Sequence, residues 1–517
     1  MSASDSSAAS VQGPGPVWTQ PWLVLSLATL LTHLVFNNQY GVFRDELYFI
    51  ACGEHPDWGY VDQPPLVPLV AGASHALFGT ALLPLRLLPA LAMTVTVALT
   101  CEFTRAIGGG RFAQWLAGLC VVTGSVFLVN GLLLTTDVLQ DVTWLGCAWA
   151  LVKLEQSKDE RWWLAFGAIV GLSLTSKYLI IFFLVGLAIG VLATPLRRSL
   201  LRPWLWLGAL IALACAAPSV LWQYQHGLPF LELGKAGMAH KNLPLSPLGF
   251  LGQQILFAGV VTFPVWMLGL WRFTRRPPLP GLRALPIAYV VSYALFVALH
   301  GKAYYLTPIY PALFAGGALA IEGWLKRPLL RGAVLAVIGA VGVALSPFAI
   351  PVLPVEAYVR YAAALGLGES MAATEKQKLG VLPQQYADMF GWPQMAAKVA
   401  AAYDALPPAD RANAVFFGNN YGEAGAIDVY GRPLGLPPAI SGHNNYYLWG
   451  LQGHDGSVLI VLGRDPAKYA PYYGSVEAAG TIDTPYAMPY ETGLTIFVLR
   501  QPKVSLATVW PKLKHYE

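Results

Sequence analysis

Charged side chains are scarce in this chain: Asp, Glu, Lys and Arg make up 12% of it, against 56% hydrophobic residues. A water-soluble domain carries about 25% charge. The deficit excludes an ordinary soluble enzyme and makes a membrane the solvent for much of the chain. Cysteine is sparse too. The five present, Cys52, Cys101, Cys120, Cys147 and Cys215, form no CxxC or metal-type spacing, which excludes a disulfide framework and a cysteine-based metal site. Internal repeats and nucleic-acid-binding motifs are also lacking. So is the basic leader of a secretory signal: no Lys or Arg precedes Arg44, and no A-x-A site follows the first apolar run. That run, Trp22 to Phe36, is expected to be an uncleaved first span. The polar Ser/Gly/Pro-rich tail before it, 1–20, reads as disordered.

What is abundant is apolar sequence in span-length blocks. Segments near 20–37, 82–104, 112–130, 137–153, 162–177, 179–195, 203–222, 249–271, 284–300, 303–324 and 332–351 predict about eleven membrane spans in a body covering 21–351. The short pair 162–177 and 179–195 also reads as one long kinked helix. With the N-terminus cytoplasmic, the loops on that side hold 15 Lys and Arg residues. The opposite loops hold five: Arg44, Lys177, Lys235, Lys241 and Lys302. This is the positive-inside pattern, and an odd number of spans then puts the remainder, 352–517, outside the cytoplasm. There the composition changes. Residues 394–406 have helical spacing, and 413–418, 457–463 and 494–500 read as strands, which predicts an extracytoplasmic α/β domain.

The first external loop, 38–81, is long and acidic. Asp45 and Glu46 stand a few residues beyond the first span, where a carboxylate is poorly solvated and suited to act as a base or to hold a metal. A solvated loop also carries such acids, so the pair alone leaves both readings open. Asp137 sits at the mouth of the fourth span, with Asp141 one turn deeper. An acid inside a span is costly and usually functional, although helix capping competes as an explanation. Lys177, followed by Tyr178, and Lys302, followed by Tyr304 and Tyr305, lie at the same membrane face. Cations and hydroxyls there suit a lipid phosphate, while snorkelling lysines and an aromatic belt are the plainer account. Acids and isolated cations thus converge on one side. A base plus phosphate-stabilising cations is what sugar transfer from a lipid phosphate needs.

At these residues the chain resembles the bacterial family 39 glycosyltransferases of the GT-C superfamily, which includes protein O-mannosyltransferases and the lipid A aminoarabinose transferase. The matching runs are RDELYF, DQPPL, TTD, TSKY and GKAYYLTPIYPAL. The likeness extends to YADMFGWPQMAAKVA (386–400), NNYGEAGAIDVYG (419–431) and SGHNNYYLWG (441–450). It implies a GT-C-type polytopic helical fold in the bacterial inner membrane, with the C-terminal domain on the periplasmic side. It further implies a polyprenyl-phosphate sugar donor, membrane-lipid contacts and inverting direct displacement at an external active site. On this resemblance Asp45 is the base or acceptor-positioning acid, with Glu46 beside it, and Asp137 is a second site carboxylate. Lys177, Lys302, Tyr304 and Tyr305 are phosphate ligands. Tyr178 and His300 are counted with them as substrate-binding, and Asp62 orients the loop or the acceptor. Relatives differ in whether they hold a divalent metal, so that cofactor stays open.

The β-trefoil insertion of the O-mannosyltransferases is missing, which leaves the acceptor open among lipid, glycan and protein. The loop HNNYYLWG suits either sugar contacts or a tight turn. A transporter or flippase of a lipid-linked sugar is the alternative, but its usual paired repeats and midplane charges are not found. A third reading is a non-catalytic scaffold whose external domain binds a partner.

Overall fold

The computed structural model describes residues 19–367, 376 and 378–517. The tail expected over 1–20 lies, but for its last two residues, outside the described residues. The apolar blocks become helices. Five are long and apolar enough to cross a bilayer: Leu87–Ala106, Pro203–Gln225, Pro280–Ala298, Ala303–Trp324 and Pro328–Phe348. Three bent pairs raise that to as many as eight. The helices Pro21–Phe36 and Trp162–Leu174 are apolar but shorter, and Gln140–Ser157 completes the bundle. Proline at the first helical position starts several of these helices, including those at Pro21, Pro203, Pro247 and Pro328, where its missing N–H costs nothing.

The segments at 162–177 and 179–195 form two separate helices, Trp162–Leu174 and Ile180–Leu192, and not the alternative of one kinked helix; they have different partners. The first packs on Pro203–Gln225 and the second on Ala284–Ala298. The turn between them carries Lys177. A break also separates Pro247–Ala258 from Val260–Arg275, which meet at 102°. Gly259 occupies the break at φ 101°, a conformation a side chain would strain.

The loop after the first helix is itself helical. Helices Arg44–Glu54 and Leu66–Phe78 pack so closely that a Cβ on Gly53 would lie 2.6 Å from the Gly72 Cα. This pair is fastened to the bundle by one ion pair. Arg86 and Glu46 are both 0% exposed, and the guanidinium meets the carboxylate at 2.9 and 2.8 Å. Arg86 also donates to the Asn37 and Gly41 carbonyls. Glu46 also accepts from the Phe43 and Leu134 amides. Five chain segments therefore meet at one buried, fully bonded pair.

The C-terminal domain is built on a five-stranded sheet of order β2-β1-β3-β5-β4. Its strands are β1 (Ala414–Gly418), β2 (Ile440–Ser441), β3 (Val458–Gly463), β4 (Tyr473–Ile482) and β5 (Leu494–Pro502). β1 runs parallel to β2 and β3, and the remaining pairings are antiparallel. Three strands and the helix Trp392–Asp404 stand where the sequence places them. β2, only two residues long, and β4, a largely exposed edge strand with an irregularity at Ala478/Gly480, carry too weak a pattern to be read. Alternation along the strands divides the sheet in two. Val415, Leu459 and Phe497 face the helix Leu506–Leu513. Phe416, Ile460 and Val498 face Trp392–Asp404 and share a core with Leu47, Tyr48 and Phe49 of the first loop. The sheet domain is therefore packed directly on that loop.

Breaking the buried pair should be costly. Removing one partner of such a pair costs about 3–5 kcal/mol because the other charge stays buried and unpaired. Arg86→Met and Glu46→Gln should each lower the melting temperature in detergent clearly, and the double variant should recover part of the loss. Single variants that melt with the wild type would remove the pair from this role.

Candidate active site

The turn between Trp162–Leu174 and Ile180–Leu192 presents Lys177. Its Nζ donates to both oxygens of Asp137, at 2.9 and 2.7 Å. The two side chains are only 19% and 11% exposed. The same ammonium lies 4.4 Å from the Tyr305 ring centre and 6.0 Å from that of Tyr304, a separation at which a cation is drawn to an aromatic face. The two rings meet edge to face at 4.8 Å. Lys302 Nζ stands 5.9 Å from the Tyr304 ring. Five residues singled out in the sequence are thus brought together from three loops. Asp137 spends both oxygens on Lys177, so it fixes the ammonium in place.

Asp45 lies on the first turn of Arg44–Glu54, with its side chain 33% exposed. Its Oδ1 accepts from the Tyr421 hydroxyl at 2.7 Å, and the Arg44 guanidinium is 3.7 Å away. Asp62, in the same loop, accepts from the Tyr48 hydroxyl at 2.9 Å. Burial is the main force pushing the Asp62 carboxyl up to about 6; the Tyr48 bond and Lys241 oppose it, and the Asp45 charge adds to it. The loop joins the lysine cluster through its backbone, where the Leu66 amide donates to the Thr175 carbonyl at 3.1 Å.

Three expected site residues stand elsewhere. Glu46 was expected beside Asp45 in the site. It is turned into the interior and saturated by Arg86 and two amides, because neighbours on a helix point about 100° apart. Tyr178 bonds to Ser219 and packs edge-on against Phe230, so it braces helix Pro203–Gln225. His300 is exposed with φ 49°, and the contact with Asn242 is made by its carbonyl. The acids that remain are each engaged by Lys177, Tyr421 or Tyr48. Among the described residues no group of three or more His, Cys, Asp or Glu is arranged to share a metal ion. No step is assigned to one.

The sequence reading missed the contribution of the C-terminal domain. The Arg44 guanidinium donates to the hydroxyls of Tyr490 and Tyr421, the latter at 3.2 Å. Asn445, in the loop that suited either sugar contacts or a turn, accepts from the Val61 amide at 2.7 Å with its side chain, and its backbone N–H donates to the Tyr48 hydroxyl at 3.3 Å. That loop is therefore a clasp on the first loop. Beneath it Glu423 and Glu491 are buried together. Burial raises both carboxyls, and the Glu491 charge adds to the rise at Glu423. Burial pushes Glu491 up to about 7 against the Asn420 hydrogen bond and the Arg44 charge. The signal for these contacts lay in NNYGEAGAIDVYG and SGHNNYYLWG, but nothing local in those runs points to a partner.

Residues 62–222 match the profile of the dolichyl-phosphate-mannose-protein mannosyltransferase family. The lipid A galacturonosyltransferase RgtD of Rhizobium johnstonii is 26% identical over 185 residues, which is 36% of this chain. The match spans only 39% of that relative's length. The crystal structure of ArnT from Cupriavidus metallidurans bound to undecaprenyl phosphate superposes with a TM-score of 0.61 at 16% identity, covering 92% of this chain and 98% of that one. The apo state of the same protein gives 0.56 at 16% identity, covering 92% and 97%. The chain has the GT-C-type fold expected from the resemblance: a polytopic helical membrane body with a C-terminal sheet domain.

The buried acids set a pH dependence. Burial favours their neutral form, so their folded values lie above the ordinary carboxyl range. Their contribution to stability is full below that range and lost as pH rises through about 7 for Glu491. The wild-type melting temperature should fall between pH 5.5 and 8, and Glu491→Gln should flatten that fall. An equal fall in the variant would show that this carboxyl does not set the slope.

Proposed function

We propose that this chain is an integral-membrane glycosyltransferase that moves a sugar from a polyprenyl-phosphate donor to an extracytoplasmic acceptor by inverting direct displacement. The observation that carries the reading is the gathering of Lys177, Lys302, Tyr304 and Tyr305 beside a loop that offers Asp45, a carboxylate with one third of its side chain exposed. These are the two halves such a reaction requires. The undecaprenyl phosphate bound in the ArnT structure supports the donor class, and the name of RgtD favours a lipid among the acceptors left open. The excess of Lys and Arg in alternate loops supports a bacterial inner-membrane protein whose C-terminal domain is periplasmic.

In this mechanism the acceptor's oxygen or nitrogen attacks the anomeric carbon from the face opposite the phosphate. Asp45 takes the proton from the attacking group. The bond from the anomeric carbon to the phosphate oxygen breaks as the new bond forms, which inverts the centre. The electron pair leaves with the lipid phosphate. Lys177 and Lys302 stabilise its growing charge, and Tyr304 and Tyr305 offer hydroxyl donors. Preorganised charge of this kind typically contributes about 2.7–4 kcal/mol per donor removed. Asp137 supplies the preorganisation by holding the Lys177 ammonium at two points. Asp62, with Tyr48, shapes the loop that carries Asp45.

The test is transfer from a panel of radiolabelled polyprenyl-phosphate sugars to a membrane-lipid and envelope-protein extract. Loss of a general base costs roughly 10²–10⁴-fold, so Asp45→Asn should fall at least 100-fold with its melting temperature kept. Lys177→Met should lose roughly 10²–10³-fold. Wild-type turnover in Asp45→Asn would take the base role from Asp45. A folded protein that binds the lipid donors and moves them across proteoliposomes, yet transfers no sugar, would favour the transporter reading.

A further inference from the structure

We propose that Tyr421 is a positioning residue for Asp45, so that the C-terminal sheet domain supplies part of the active site. This rests on the reading of Asp45 as the base.

The direction of the contact is fixed by chemistry. The Tyr421 hydroxyl lies 2.7 Å from Asp45 Oδ1 and 3.2 Å from Arg44 Nη2. A guanidinium only donates, so the Tyr421 oxygen accepts from Arg44 and its single proton is directed to Asp45. One carboxylate oxygen is thereby fixed. The side chain remains 33% exposed, and no bond engages its second oxygen among the described residues. A base needs this arrangement: one oxygen held, the other available to a proton on the incoming nucleophile.

The tyrosine is itself held on every side. It is 5% exposed. Its ring stacks on Tyr48 at 4.8 Å and 30°, and the Arg44 guanidinium lies 5.2 Å from the ring centre. Its backbone N–H donates to His443 Nδ1 at 3.3 Å. Tyr421 also opens the helix Tyr421–Ala426, whose N-cap is Asn420. The Asn420 side chain accepts from the Gly422 and Glu423 amides at 2.8 and 3.0 Å and donates to Glu491 at 2.8 Å. A residue whose only role were to fill the interface would need the ring and not this directed hydroxyl.

The experiment uses the full chain and the labelled polyprenyl-phosphate sugar panel. Tyr421→Phe keeps the ring and removes the hydroxyl. It should lower kcat about 10- to 100-fold, leave the donor KM within about twofold, and keep the melting temperature within a few degrees. The decisive readout is coupling. Tyr421→Phe combined with Asp45→Asn should be no slower than Asp45→Asn alone, because the hydroxyl acts only through that carboxylate. Asn420→Ala, which loosens the cap, should show a smaller kcat loss that Asp45→Asn likewise absorbs. Losses that multiply in the double variants, or full activity in Tyr421→Phe while Asp45→Asn is dead, would overturn this inference alone. A wild-type protein that transfers no sugar from any donor would overturn it together with the glycosyltransferase reading.

Discussion

The structure depends on the buried pair of Arg86 and Glu46. A charge with no exposure is affordable only when its partner and every remaining donor or lone pair are satisfied, and here they are. The pair ties the end of the first helix, the turn at Gly41, the start of Arg44–Glu54, the segment before Leu87 and the backbone at Leu134 into one node. Asp45 is the next residue along from Glu46, so the node also fixes where that carboxylate stands. A carboxylate on a long loop would wander. One anchored a single residue from a saturated ion pair does not.

Two assemblies of side chains adjoin that loop. In one, Asp137 holds Lys177 near the faces of Tyr304 and Tyr305. In the other, Tyr421, Arg44 and Asn445 set the loop against the sheet domain. The shared core of Leu47, Tyr48, Phe416 and Ile460 welds the second assembly to the first loop. The sheet domain thus packs on the loop that carries Asp45, and its strands place the short helix Tyr421–Ala426 against it.

The sequence made part of this legible. Span-length apolar blocks located the helices because hydropathy acts locally. Asp137, Lys177, Lys302 and the two tyrosines were legible as a group because the topology expected from the basic residues puts them on one membrane face, where isolated charges are few. Asp45 and Glu46 were not separable, since adjacent residues on a helix look alike in sequence and only the packing decides which one is buried. Nor was Arg86 legible, because nothing in its own apolar surroundings announces the acid it meets. Tyr421 lay furthest out of reach. It sits 376 positions from Asp45, and no periodicity links a tyrosine in one domain to a carboxylate in another.

That separation bears on how the molecule is made. The contacts that complete the first loop, from Asp45 to Tyr421 and from Arg44 to Tyr490, close over 376 and 446 residues. Contacts this remote form late, because the entropy of closing the chain is paid before they reward it. During synthesis residues 44–54 enter the membrane region among the first and then wait while the whole helical bundle is inserted. The bundle therefore exists as an assembled membrane body before Asp45 has its partner. The contact between Asp45 and Tyr421 is completed only when the sheet domain has folded, so a chain still in synthesis carries that carboxylate without its tyrosine partner until a late step of its own assembly.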